Sequence, residues 1–171
     1  MFEKEDVEKF HMPRWEELPE IDLYLDQVVT FIDKYLLYYL NTEFDEKDEK
    51  KEKNVLTKTM INNYVKQKVI DAPIQKKYSR SSIAYLFVIC ILKSVYSIKD
   101  IDKLIKSATK DIPSRVAYNK FCDALEAAIH STLIDKKFIF DKNITDNGYA
   151  LFNVVQTVAS KLYVEKVYLE K

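Results

Sequence analysis

Apolar positions along the chain fall into blocks whose spacing predicts helices. From Asp22 to about Leu40, the residues Leu25, Val28, Val29, Ile32, Leu36 and Leu40 recur at helical intervals. Tyr35, Tyr38 and Tyr39 widen that apolar face. A second helix is expected from a Thr57 cap to about Lys68. Ile61, Tyr64 and Val65 line one of its faces, and Lys58, Thr59, Asn62, Asn63 and Lys66 line the other. Val69 to Tyr78 reads as a short extended segment turning around Asp71 to Pro73, because proline biases the residue before it away from helix.

Ser79 and Ser81 offer caps for a helix from about Ser81 to Ser94. Its sequence is apolar on every side, so it is expected at the centre of the core. Ser97 to Asp100 opens like a capping box, followed by Ile101, Leu104, Ile105 and Ala108 at helical spacing. Pro113 suits the first turn of a helix reaching about Leu133. Phe138 to Phe140 is expected to be extended. Asp146 or Asn147 would cap a last helix, Tyr149 to about Leu169, whose apolar line runs through Leu151, Val154, Val155, Val158, Leu162 and Leu169.

The pattern predicts an all-α fold in three parts. These are a loosely ordered acidic arm at 1–21 with Trp15 and Leu18 docked on the body, a unit at 22–108 containing a charged loop at 41–53, and C-terminal helices at 109–171. The last part serves either as a core extension or as a dimerisation element.

Composition narrows the chemistry. The 171 residues carry a formal net charge of zero, so any nucleic-acid site has to be local. Gly148 is the sole glycine. A phosphate-cradling loop, a dinucleotide fold and a strained nucleophile turn all lean on glycine, and none of their patterns can be written here. Hairpins with positive φ lean on glycine too. Cys90 and Cys122 lie in apolar stretches and read as buried, reduced thiols in preference to a disulfide. His11 and His130 lack companions at ligand spacing, so no metal, cofactor or catalytic residue is expected, and the chain does not read as an enzyme. The most apolar run, Ile83 to Leu92, covers about half of the ~20 residues of a membrane span. With an acidic, signal-free start, the expected location is cytoplasmic.

The segment from Leu56 to Leu104 carries a resemblance. Thr57-Lys-Thr-Met-Ile-Asn-Asn-Tyr-Val-Lys-Gln-Lys-Val-Ile70, then Ala72-Pro73, Lys76-Lys-Tyr-Ser-Arg80, an apolar helix and Tyr96-Ser-Ile-Lys-Asp-Ile101 is similar to the MerR-type winged helix-turn-helix. Taken whole, the chain also resembles the bacterial family called domain of unknown function 1836. The MerR likeness implies a helical bundle with a small β wing and a role as a transcriptional regulator on duplex DNA. Lys58, Thr59, Asn62, Asn63 and Lys66 would face the major groove or its flanking phosphates. Gln75, Lys76, Lys77 and Tyr78 would form the wing tip with Arg80 beside it, while Ile61, Tyr64, Val65, Ile70 and Pro73 would be structural. Proteins of this type pair through C-terminal helices, which implies a homodimer.

Charge agrees with that reading. From Thr57 to Arg80 there are five lysines and one arginine against the single acid Asp71. Duplex DNA rewards such a patch through counterion release, and amides such as Asn62 and Asn63 can pair with adenine edges. The alternative for the same cations is an ordinary solvated surface, and Tyr78 is either a wing contact or a hydrophobic clasp. Two other functions stay open: a protein-interaction module on the same scaffold, favoured if the acidic residues 1–26 fold over the basic segment, and a small-ligand sensor.

Overall fold

A computed structural model describes residues 4–40, 54–138 and 143–169. The expected charged loop at 41–53, and Ile139 and Phe140 of the expected extended piece, lie outside the described residues. Among the described residues 68% are helical, in seven α-helices and shorter 3-10 and π segments, beside one small two-stranded sheet. The chain divides into two compact units. One comprises Met1–Arg14 with Leu104–Lys171, the other Trp15–Lys103.

The Trp15–Lys103 unit is organised by α4 (Arg80–Leu92). Every residue from Ser82 to Leu92 except Tyr85 is buried, as an all-apolar helix requires. Its cap is Ser79, whose Oγ accepts from the Ser82 N–H at 3.3 Å. Against it α2 (Leu25–Leu40) contributes Val28, Val29, Ile32 and Leu36 to the core. Phe31 and Tyr35 meet the Phe87 ring edge-on at 6.0 and 5.9 Å, the geometry favoured by the ring quadrupoles.

Helix α2 starts three residues later than Asp22, because Leu23–Tyr24 forms β1 instead. The Gln27 side chain accepts from the Tyr24 N–H at 2.9 Å, one half of a capping box that fixes the switch from strand to helix. The unit also holds α3 (Lys58–Lys66) and β2 (Lys77–Tyr78). The Ser97 hydroxyl begins α5 (Ile98–Ala108). It accepts from the Asp100 N–H at 3.2 Å and donates to the Asp100 carboxylate at 2.7 Å.

In the other unit α6 (Ser114–Leu133) and α7 (Asp146–Leu162) pack together. Pro113 stands immediately before α6, as its fixed φ allows. The cap of α7 is Thr145, not Asp146 or Asn147. Its hydroxyl accepts from the Gly148 N–H at 3.2 Å. Val155, Val158, Ala159 and Leu162 are buried, but Leu169 at the far end of the expected apolar line is 68% exposed. The chain passes into a π-helix at Tyr163–Leu169, and that change of period ends the stripe.

Residues 7–13 are docked, which corrects the expectation of a loose arm there. Val7 in α1 (Lys4–Glu8), Phe10 and Met12 are buried. Glu126 of α6 accepts from the Met12 N–H at 2.8 Å and from both terminal nitrogens of Arg14 at 2.7 Å each. Tyr118 donates its hydroxyl to the Pro13 carbonyl at 2.8 Å. Trp15 onward belongs to the other unit, where Leu18 is buried. Cys90 and Cys122 are free and buried, and burial pushes both thiols up to about 12, which leaves them unreactive.

Burial pushes the Glu126 carboxyl up, but hydrogen bonds from Arg14 and the Met12 N–H outweigh it and hold the group below its ordinary value. A carboxylate with a depressed folded pKa stabilises the native state above the unfolded pKa. That contribution is lost as pH falls through the folded value. Glu126→Gln is therefore expected to cost about 1–2 kcal/mol at neutral pH. It should also flatten the acid limb of stability below about pH 4.5, where the parent loses the bond. Urea unfolding across that range reads both effects, and an acid limb identical to the parent's contradicts the assignment.

Candidate nucleic-acid interface

Helix α3 is delimited by two local signals. At its start the Thr57 hydroxyl accepts from the Met60 N–H at 3.2 Å. At its end the Lys68 N–H reaches the Val65 carbonyl and the Val69 N–H reaches the Tyr64 carbonyl, both at 3.0 Å. This pair of bonds is a Schellman stop, with Lys68 in the left-handed position at φ 58° where glycine is usual. The helix thus ends where expected.

Between these signals Ile61 and Tyr64 are buried, while Lys58, Thr59, Asn62, Asn63 and Lys66 are all exposed. The helix is held from its inner face. Burial, with Cys90 nearby, raises the Tyr64 hydroxyl above its ordinary pKa. Ile70 is buried too, with Val65 and Pro73 half-buried.

The entry to α3 is clamped. Asp33 of α2 accepts from the Val55 N–H at 2.9 Å, and Lys93 just past α4 donates to the Val55 carbonyl at 2.5 Å. Burial raises the Asp33 carboxyl, opposed by the Val55 N–H and the Lys93 charge. About two turns of α2 earlier, Asp26 pairs with Lys58 at 2.5 Å. The approach to α3 is therefore held to α2 through Asp33, with an exposed ion pair beside it.

The stretch expected as a wing is a hairpin closed by Ile74 and Lys77, which exchange N–H···O bonds of 3.0 and 2.9 Å. Gln75 and Lys76 between them have φ of 50° and 65°, as a two-residue type I′ turn demands. The turn lies here and not at Asp71 to Pro73, and it forms without glycine. Strand β2 pairs antiparallel with β1, Leu23 opposite Tyr78 and Tyr24 opposite Lys77. Directly opposed residues share a face. Leu23 and Tyr78 form the buried face, while Tyr24 and Ile74 lie on the exposed one with the Lys77 ammonium 5.0 Å over the Tyr24 ring.

The ten residues singled out from sequence separate into two groups. Lys58, Thr59, Asn62, Asn63, Lys66, Gln75 and Lys76 are exposed. Tyr78 is only 3% exposed, so it is a clasp on the core and not a wing-tip contact. Burial raises its hydroxyl pKa as well. Lys77 is half-buried against Tyr24. Arg80 is half-buried as the first residue of α4 and donates to the Pro19 carbonyl at 3.0 Å.

Sequence reasoning raised the folding of residues 1–26 over the basic segment only as an alternative, and did not identify the contacts that residues 19–26 make. Pro19, Tyr24 and Asp26 touch Arg80, Lys77 and Lys58 respectively. The start of α3 and the second strand of the hairpin thereby converge on the β1–α2 junction. A two-residue strand offers no period to detect, so the only available signal was the run of acids from Glu16 to Asp26. Among the described residues no group of three or more His, Cys, Asp or Glu side chains is placed to hold a metal, and no helix is long and apolar enough to cross a membrane.

The model of the family described as Domain of unknown function (DUF1836) matches residues 13–121, well over half of the sequence, and the chain belongs to that family. The matched span contains the whole Trp15–Lys103 unit, and with it α3, the hairpin and α4. No curated protein and no solved structure gives a significant match.

Three side chains in this region occupy conformations that glycine adopts at lower cost. Lys68→Gly should stabilise the chain by about 1 kcal/mol, and the pair Gln75→Asn with Lys76→Gly by a similar amount. Denaturant midpoints would show these gains. A loss of stability in either variant would mean that the lysine side chain contributes more than its strained backbone costs.

Proposed function

We propose that this protein is a DNA-binding transcriptional regulator of MerR-like winged-helix type, acting by position and not by chemistry. The reading rests on one observation above all. Helix α3 buries Ile61 and Tyr64 and turns Lys58, Thr59, Asn62, Asn63 and Lys66 to solvent together, in the same unit as a two-residue hairpin tipped by Gln75 and Lys76. In the proposed mode the lysines anchor phosphates, Thr59, Asn62 and Asn63 sample base edges in the major groove, and the hairpin tip meets the flanking backbone. Lys77, Tyr78 and Arg80 move from the contact set to the structural set.

A second copy of the chain is the further partner in this proposal. Val164, Tyr168 and Leu169 are exposed on the C-terminal π-helix and supply apolar area for pairing. A symmetric pair would present two α3 helices to half-sites spaced by one duplex turn or a multiple of it. A competing reading as a protein-interaction module is favoured by the contacts of residues 19–26 with Lys58, Lys77 and Arg80.

Duplexes selected from a random pool provide the test. Log affinity should fall linearly with log salt at about −0.9 per phosphate neutralised. Each lysine removed from the set Lys58, Lys66 and Lys76 should reduce that slope by about 1. The triple change to glutamate is expected to abolish binding with the helical circular dichroism unchanged. Asn62→Ala should cost about 1–3 kcal/mol on the selected site and almost nothing on random duplex. A folded triple variant that binds as tightly as the parent would sink the reading.

A further inference from the structure

The cations of the proposed interface are not presented freely. Residues 16–26 contain five carboxylates and no cation, while 57–80 carries six cations and one acid. The two stretches are physically joined. β1 lies hydrogen-bonded along β2, so the acidic stretch is held beside the hairpin by the backbone ladder. From that anchored position residues 19–26 engage three of the six cations: Arg80 at the Pro19 carbonyl, Lys77 over the Tyr24 ring, and Lys58 at the Asp26 carboxylate.

These three contacts differ in kind. Arg80 is half-buried, and its bond to Pro19 belongs to the fold. Lys77 is half-buried against the Tyr24 ring, a contact that belongs to the pairing of β2 with β1. The Lys58–Asp26 pair is open to solvent, its side chains 62% and 75% exposed. An exposed pair of this kind contributes little to stability and is readily exchanged for another anion. Lys58 also stands in the first turn of α3 on its exposed polar face. An arriving phosphate and the Asp26 carboxylate therefore compete for the same ammonium group.

We infer that residues 19–26 form a built-in anionic competitor for the nucleic-acid face, with Asp26 occupying Lys58 in the free protein and yielding it to a backbone phosphate. This regulation of the site rests on the duplex-binding reading above. Binding then requires exchange of one ion pair for another, which lowers affinity for any duplex that does not bring a phosphate to Lys58. Nearby Glu20 and Asp22 are exposed and carry the same sign, so they raise the barrier to an approaching backbone.

A double-mutant cycle on the full chain, using the pool-selected duplex at low salt, tests the inference. Asp26→Asn should tighten binding about threefold, a gain that shrinks as salt rises. Lys58→Gln should weaken it, and in the Lys58→Gln background Asp26→Asn should give no gain. The same gain in both backgrounds would show a general field effect and overturn the specific exchange. No gain in the Lys58-containing chain overturns the competitor while leaving the duplex-binding reading intact. If parent and Asp26→Asn are both folded and neither binds duplex at low salt, the duplex-binding reading and the competitor fall together.

Discussion

A helix that is apolar on all sides has to be surrounded, and the Trp15–Lys103 unit follows from satisfying that demand for α4. Its burial draws α2 across one side through Val28, Val29, Ile32 and Leu36, with Phe31 and Tyr35 closing on Phe87. Its two ends then reach the two elements proposed to contact DNA. At the N-terminal end Tyr78 and the Ser79 cap connect α4 to the hairpin without a linker. At the C-terminal end Lys93 grips the Val55 carbonyl two residues before the α3 cap. One buried rod thus determines where the hairpin and the entry to α3 stand, and no side chain in the interface needs to contribute to the core.

Backbone strain in this chain is concentrated in the same region. Among the described residues, four non-glycine residues have positive φ; three are Lys68, Gln75 and Lys76, and the fourth is Lys136. The single glycine is used elsewhere, in the first turn of α7. A Cβ on Gly148 would come within 2.7 Å of the Ile144 side chain, so that position needs its space. Left-handed residues with long side chains cost roughly 1–2 kcal/mol each where glycine would cost little. A helix stop and a hairpin tip built with lysine and glutamine accept that penalty and gain a polar or charged side chain at each place. Strain of this sort is typical of segments that are kept for contact and not for stability.

The limits of α3, the all-round burial of α4, the Ser97 cap and the Pro113 start of α6 were legible because each depends on a local rule: a capping hydroxyl, a missing polar face, a fixed φ. The features that were not legible depend on pairing at a distance. Strand β1 exists because Leu23 and Tyr24 meet Tyr78 and Lys77, and neither stretch carries a period of its own. Tyr78 could be read as a wing contact or as a clasp on the core, with the clasp the better fit. Its register opposite Leu23 decided for the clasp. The docking of residues 7–14 was hidden because it depends on Glu126, more than a hundred positions away. The hairpin tip was misplaced to the proline because its own residues, Gln75 and Lys76, carry none of the usual turn chemistry.

Neutrality of the whole chain conceals a local arrangement of charge that bears on how any polyanion would meet it. The cationic stretch 57–80 and the acidic stretch 16–26 are brought into contact by the pairing of β1 with β2, the strand that follows the hairpin tip. At long range, beyond about one Debye length of ~10 Å in 0.1 M salt, opposite charges in adjacent segments largely cancel, so long-range steering is weak. At contact distance the cancellation fails, because Asn62, Asn63, Lys66 and Lys76 are exposed while only Lys58, Lys77 and Arg80 are held by residues 19–26. On the duplex-binding proposal, such a face would discriminate by close fit more than by attraction. Affinity for an arbitrary polyanion would stay low, and the binding free energy would have to come from groups that align with α3 and the hairpin together. If the duplex-binding proposal holds, sequence selectivity in a protein with no net charge would follow from that balance, since the non-specific electrostatic term that dominates basic DNA-binding proteins is the one the acidic stretch 16–26 would reduce.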